Sequence, residues 1–215
     1  MMHNTGRFGK GCGDLEPSAL PPYLQPMTQT SKPGLDGVIA AVKQAPGRGL
    51  PPVHLWNPAH CGEIDIVIKR DGRWLHEGAV IGREAMVRLF STILRKDPDG
   101  FYLVTPVEKL RITVEDAPFI AVRVDRDGEG LKFLTNVGDE VAAGPDHAIR
   151  VEVSPTGEPR PYLHVRRGLE ALIARPVFYE LVEMAQARAT PQGLTLGVTS
   201  NGAWFAVGPA EADSA

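Results

Sequence analysis

The stretch Glu63-Ile64-Asp65-Ile66-Val67-Ile68-Lys69-Arg70-Asp71-Gly72-Arg73-Trp74-Leu75-His76-Glu77 decides how this chain is read. Ile64, Ile66 and Ile68 fall on one face of a strand, and Asp65, Val67 and Lys69 fall on the other. That two-residue period, with its β-branched side chains, predicts a half-buried strand. Asp71-Gly72 predicts a primed hairpin turn, because Gly takes positive φ without strain. Residues 73–77 are then the return strand. After Gly78 and Gly82 the period changes. Met86, Leu89, Phe90, Ile93 and Leu94 recur at spacings of three and four, which predicts a helix with Glu84, Arg88, Ser91 and Arg95 on its polar side. Asp97-Pro98-Asp99-Gly100 is expected to end that helix, and 101–105 to form the next strand.

Further along, the bend at Thr105-Pro106 leads into a strand over 107–114, with Leu110, Ile112 and Val114 on one face. A turn at 115–118 returns the chain over 119–125. There Phe119, Ala121 and Arg123 are expected on one face and Ile120, Val122 and Val124 on the other. Asp127-Gly128-Glu129-Gly130 turns into 131–135, and 137–141 and 149–153 continue an antiparallel meander.

The first unit then recurs in looser form. Tyr162-Leu163-His164 mirrors Trp74-Leu75-His76. A helix from Arg175, with Pro176 in its first turn, carries Phe178, Leu181, Val182 and Ala185 on one stripe. Thr190-Pro191-Gln192-Gly193 matches Asp97-Pro98-Asp99-Gly100, and 194–199 matches 101–105. Asn201-Gly202 is one more hairpin turn. Upstream, Val38, Ile39 and Val42 mark a short helix over 35–44, and the Gly- and Pro-rich residues 1–33 read as a tail.

At 215 residues the chain allows one or two domains. With 43% hydrophobic and 23% charged residues it has an ordinary soluble composition. A formal charge of -3 gives no reason to expect nucleic acid as a partner. Of the two cysteines, Cys12 lies in the tail, so no structural disulfide is expected and a reducing, cytoplasmic compartment is the default. No apolar run is long enough to span a bilayer, and no secretory signal opens the chain.

Four runs are distinctive: 56–65 (Trp-Asn-Pro-Ala-His-Cys-Gly-Glu-Ile-Asp), Ile81-Gly82-Arg83 before a helix holding Arg88-Leu89-Phe90, 103–109 (Leu-Val-Thr-Pro-Val-Glu-Lys), and 114–119 (Val-Glu-Asp-Ala-Pro-Phe). Together they resemble the bacterial domain-of-unknown-function family twelve-eighty-five over about residues 35–207. The resemblance implies two repeated α+β motifs and a second domain similar to a pleckstrin-homology-like fold. It also implies a groove between the domains that takes a nucleotide-like ligand, with a role in intracellular signalling. It supplies no reaction, no cofactor and no catalytic residue.

Several residues invite chemistry. Cys61 between His60 and Glu63 raises a nucleophile, yet neighbours on an extended segment point to opposite faces, so His60 is badly placed to serve it. A small buried thiol is the plainer reading. His54, His60, Glu63, Asp65 and His76 are of metal-ligating type but lack a tight ligand spacing. Arg83 at a helix start opposes the dipole and calls for either an anion or a surface ion pair. Lys109, with Arg83 or with Arg166 and Arg167, is a candidate lining for a crevice, with Trp56 as a stacking face. Asp116 before Ala117-Pro118 is of a kind that more often stabilises a turn than contacts a ligand.

The expectation is therefore an α+β protein: a tail over 1–33, a domain over 34–115, a meander domain with one helix over 116–208, and a tail from 209. The expected activity is binding of an anionic or nucleotide-like small molecule at the inter-domain cleft, without catalysis, cofactor or metal. The candidate ligand-binding residues are Trp56, Cys61, Asp65, Arg83, Thr105, Lys109 and Asp116. Neither nucleic acid nor membrane is an expected partner. Two alternatives remain: a small metal-assisted hydrolase using Glu63, Asp65 and His76, or a protein–protein adaptor.

Overall fold

The computed structural model describes Gly37 and residues 50–210 except Gln192. The tail expected over 1–33 lies outside the described residues, as does the tail expected from 209 beyond Ala210; Pro209 itself still belongs to the last strand, and the Ala210 N–H donates to Leu194 O at 3.0 Å. Of the short helix expected over 35–44, only Gly37 is described, in helical conformation. The molecule is α+β and rich in sheet, with two domains.

The first domain runs β1 (His60–Ile68), β2 (Trp74–His76), β3 (Ala79–Val80), α1 (Glu84–Thr92), β4 (Leu94–Asp97), β5 (Gly100–Val104) and β6 (Glu108–Val114). Its six strands form one sheet in the order β3-β2-β1-β6-β5-β4, with β1 and β6 parallel and the other pairs antiparallel. The predicted alternation holds: Ile64, Ile66 and Ile68 are buried. Trp74 lies opposite Ile68 and stacks near Phe90 of α1, with ring centroids 6.4 Å apart. Helix α1 therefore covers the apolar face of the sheet.

Two local predictions are corrected. The helix does not continue through Arg95. Ser91 and Thr92 donate their hydroxyls back to the carbonyls of Arg88 and Leu89, at 2.7 Å each. Such back-bonding competes with the helical ladder. Leu94 onward then pairs with β5, so Asp97-Pro98-Asp99-Gly100 is a hairpin turn rather than a helix stop. The loop at Asp71-Gly72 is also longer than a two-residue primed turn. The Lys69 N–H donates to Arg73 O, and of the two central residues only Gly72 has positive φ.

The second domain runs β7 (Phe119–Asp127), β8 (Gly130–Thr135), β9 (Glu140–Ala142), β10 (Ile149–Val153), β11 (Pro159–Arg166), β12 (Leu169–Ile173), α2 (Arg175–Met184), β13 (Gln186–Thr190), β14 (Gly193–Ser200) and β15 (Ala203–Pro209). Six strands form a sheet in the order β10-β11-β12-β7-β8-β9, and β13-β14-β15 form a separate one. Helix α2 packs against β7 and β14. In β7 the expected phase is overturned by a bulge. Ala121 pairs with Thr135 and Arg123 with Leu134, so Val122 is an extra residue. Val124 thereby joins Phe119 and Ala121 in the core, while Val122 is exposed. The Asn201-Gly202 turn is as predicted, with both residues at positive φ.

The order of elements repeats: a three-strand meander, a helix and a second three-strand meander. It is β1-β2-β3, α1, β4-β5-β6 in the first domain and β10-β11-β12, α2, β13-β14-β15 in the second. In the first copy the outermost strands, β1 and β6, are joined by a parallel ladder. In the second, β10 and β15 lie side by side, but each is the edge of a different sheet. Strand β12 instead pairs in parallel with β7.

The two helices do not sit over separate cores with a hollow between them. The buried apolar residues of both domains form one continuous core. The seam is also bridged by polar contacts. Arg166 pairs with Asp139, donates to Ser91 O at 2.9 Å, and lies 4.9 Å from the Phe119 ring centroid. Among the described residues no helix is long and apolar enough to cross a membrane.

Candidate functional site

Four of the predicted site residues gather at one end of the first sheet. Cys61 lies beside Lys109 in the β1–β6 ladder. Lys109 is held by Asp97 at 2.8 Å and sits 3.9 Å from the Tyr102 ring centroid. Arg95 joins the same carboxylate at 2.9 Å and donates to Trp56 O at 2.8 Å. Burial pushes the Asp97 carboxyl up, but hydrogen bonds from Lys109 and Arg95 outweigh it and leave the group below the usual carboxylate range. Thr105 is fully buried, and its Oγ1 accepts the N–H groups of Val107 and Glu108 at 3.3 and 3.1 Å. Its hydroxyl is therefore engaged in shaping the bend. Cys61 is exposed and disulfide-bonded, which corrects the reading of it as a buried free thiol and, with it, the expectation of no structural disulfide on which the default of a reducing compartment rests.

The other predicted residues stand apart. Arg83 is the exposed N-cap of α1 and offers no capping oxygen. Asp65 is exposed on the outer face of β1. His76 pairs with Ile66, so it points to the core side of the sheet, away from Glu63 and Asp65. That alternation separates the proposed hydrolase trio. Among the described residues no group of three His, Cys, Asp or Glu side chains could hold a metal ion. Arg166, once paired in expectation with Lys109, is bound at the domain seam.

A different place has the shape of a binding site. A cleft of about 650 Å³ is bounded by the β10–β11 loop, the end of β12, the start of α2, and Arg70 from the β1–β2 hairpin. Trp56, Arg83, Thr105 and Lys109 do not line it. Three arginines do: Arg70, Arg160 and Arg175. Arg70 is held through its backbone N–H by Glu115 Oε2 at 3.1 Å. Its guanidinium has no ion-pair partner among the described residues. Arg175 opens α2 and meets Glu158 only at 3.4 Å, with both side chains exposed. Ala174 gives the helix no side-chain cap, and the first-turn Pro176 lacks an N–H.

Asp116, a predicted residue, acts behind this cleft. Its carboxylate pairs with Arg160 and accepts the Tyr162 hydroxyl at 2.8 Å. Burial, then the Asp116 hydrogen bond, push Tyr162 up to about 12, so it remains a donor at neutral pH. Phe178 and the exposed Tyr179 supply apolar surface beside the cations. Sequence reading missed these arginines because they come from three distant elements and form no motif. Arg175-Pro176 at a helix start was the one local signal.

Family models match most of the chain. Residues 51–117 match the N-terminal domain of a domain of unknown function, DUF1285, and residues 118–207 match the C-terminal domain of that family. A crystal structure of a DUF1285 family protein from Silicibacter pomeroyi DSS-3 is 47% identical, with a TM-score of 0.73, over 81% of this chain and 96% of that one. A second, from Shewanella baltica OS155, is 28% identical with a TM-score of 0.46, over 55% of this chain and 90% of that one. None of the curated proteins matches the chain.

Proposed function

The chain belongs to the DUF1285 family, and we propose that it binds an anionic small molecule in the cleft ringed by Arg70, Arg160 and Arg175. The observation that carries this reading is the meeting of three cations with one uncapped helix start around a single concavity. A phosphate or carboxylate there would be held by charge-assisted bonds from guanidinium forks and by the positive end of α2. Phe178 and Tyr179 give a flat apolar surface suited to the ring of a nucleotide-like ligand. The reading keeps the expected ligand class but moves the site away from Arg83, Thr105 and Lys109. A small-molecule signalling role and a pleckstrin-homology-like second domain belong to the same proposal. The single helix and the meander of that domain support the latter.

Thermal-shift screening of the full chain against phosphates, nucleotides and di- and tricarboxylates tests it. Binding to the native state at a hundredfold excess over Kd stabilises by about 2.7 kcal/mol, a shift of several degrees. A folded sample that no anion stabilises would sink the proposal. The alternative of an adaptor is favoured by no specific observation.

A further inference from the structure

The arginine cleft draws on both domains. Arg160 and Arg175 belong to the second domain, whereas Arg70 reaches it from the β1–β2 loop of the first. That loop is fixed from within and from both sides. Inside it, the Lys69 N–H donates to Arg73 O at 2.8 Å, and the Gly72 N–H to Lys69 O at 2.9 Å. On one side stands Glu115, in the segment that joins the domains. Its carboxylate accepts the Arg70 N–H at 3.1 Å and pairs with Lys69, and its own N–H donates to Ile68 O at 3.0 Å. On the other side stands Asn136, between β8 and β9 of the second domain. Its Oδ1 accepts the Ile120 N–H at 3.0 Å, its backbone N–H donates to Ile120 O at 2.8 Å, and its Nδ2 reaches Gly72 O at 3.4 Å. Gly72 packs so closely here that a Cβ would lie 2.7 Å from Ile120 Cγ1. Neither Glu115 nor Asn136 lines the cleft.

Resting on the reading of the cleft as an anion site, we propose that Glu115 and Asn136 are positioning residues of that site. They hold the 69–73 loop so that Arg70 is delivered to a pocket otherwise built by the second domain. Anion binding therefore depends on the docking of the two domains. Arg160 is held by Asp116, and Arg175 meets Glu158. The Arg70 guanidinium has no such partner among the described residues, so the loop rather than a side-chain contact sets where its charge stands. A long cationic side chain contributes most to a ligand when its backbone is already ordered, because that entropy is then not lost on binding. The sign of the effect separates positioning from plain electrostatics. Glu115 is a negative charge beside the loop, and removing it should by Coulomb's law strengthen the binding of an anion. Where it positions Arg70, removing its hydrogen bond weakens binding instead.

The test is calorimetric titration of the full chain at low salt with ADP, citrate and inorganic phosphate, continued in the variants with whichever binds tightest. Arg70→Gln should weaken it about tenfold. Glu115→Ala should weaken it about threefold or more. Glu115→Gln loses the same charge but keeps an oxygen for the Arg70 N–H, and should bind like the parent. Asn136→Ala should also weaken binding about threefold or more, and should cost nothing further in the Arg70→Gln background. Circular dichroism and the thermal midpoint establish that each variant is folded at the titration temperature. A Glu115→Ala chain that binds as tightly as Glu115→Gln, or more tightly, would overturn the proposal. So would an Asn136→Ala chain that binds like the parent, or one whose loss recurs in full on top of Arg70→Gln. An unchanged affinity in Arg70→Gln would do the same. If none of the three anions binds the parent chain, the reading of the cleft itself fails and the positioning roles fall with it.

Discussion

Arg166 of the second domain donates through Nη2 to the carbonyl of Ser91, 2.9 Å away, in the last turn of α1 in the first domain. One guanidinium thus satisfies a terminal helix carbonyl, pairs with Asp139 and lies over Phe119. A cation at a helix C-terminus also complements the macrodipole. Arg166→Ala should lower stability by about 2 kcal/mol, since it strands a half-buried carboxylate as well as the carbonyl. Arg166→Lys should recover only part of that, because an ammonium lacks the planar fork. Denaturant midpoints for the three proteins check both steps.

Gly72 sits where the first hairpin touches the second domain. Its φ is +82°, and a Cβ there would come within 2.7 Å of Ile120 Cγ1 and 2.8 Å of Asn136 Nδ2. Gly72→Ala is therefore strained locally and crowded across the seam. The expected cost is about 2 kcal/mol or more, read from the thermal midpoint. An unchanged midpoint would mean that the seam gives way at little cost.

Acid should weaken the Asp97 network in a defined direction. The folded Asp97 carboxyl titrates below the unfolded one, since the bonds from Lys109 and Arg95 outweigh the upward push of burial. Its contribution is thus fully present above the unfolded value, about 3.9. It is lost as pH falls through the lower folded value. Asp97→Asn should cost about 1–2 kcal/mol at neutral pH and flatten the stability profile between about pH 5 and 2. A variant as acid-sensitive as the parent would place the effect on other carboxylates.

The unequal fate of the repeat gives a hydrogen-exchange prediction. The ladder between β1 and β6 should protect amides of both strands, whereas β10 and β15, each an edge, keep outward amides without a strand partner. Residues in β10 are therefore expected to split into slow and fast exchangers, with rates differing by about two orders of magnitude or more. Uniform protection along β10 would mean that the two edges pair in solution.

Much of the fold was readable from local patterns. The isoleucine alternation in β1, the Asn201-Gly202 turn and the Arg175-Pro176 helix start each rest on chemistry within a few residues. What failed depended on distant partners. Ile93 and Leu94 extend the helical stripe of α1 on paper, but pairing with Leu103 turns Leu94 into strand. The bulge at Val122 shifts the phase of β7 by one residue, and no residue type there announces it. Strands β12 and β13 were passed over because 169–173 lacks polar alternation and 186–190 is exposed at an edge. For the site, Asp116 was legible as a residue, but its role in holding Arg160 and Tyr162 was not. Arg70, Arg160 and Arg175 meet only through the tertiary fold.

The account turns on whether anions occupy that arginine cleft. The direct measurement is calorimetric titration of the full chain at low salt with ADP, citrate and inorganic phosphate, in parallel with the double variant Arg70→Gln/Arg175→Gln. The account predicts that at least one of the three saturates a single site in the parent chain. It also predicts that this affinity falls about tenfold or more in the variant and weakens with added salt. No saturable heat from any of the three at millimolar concentration, or equal affinity in the parent and the folded variant, would contradict it.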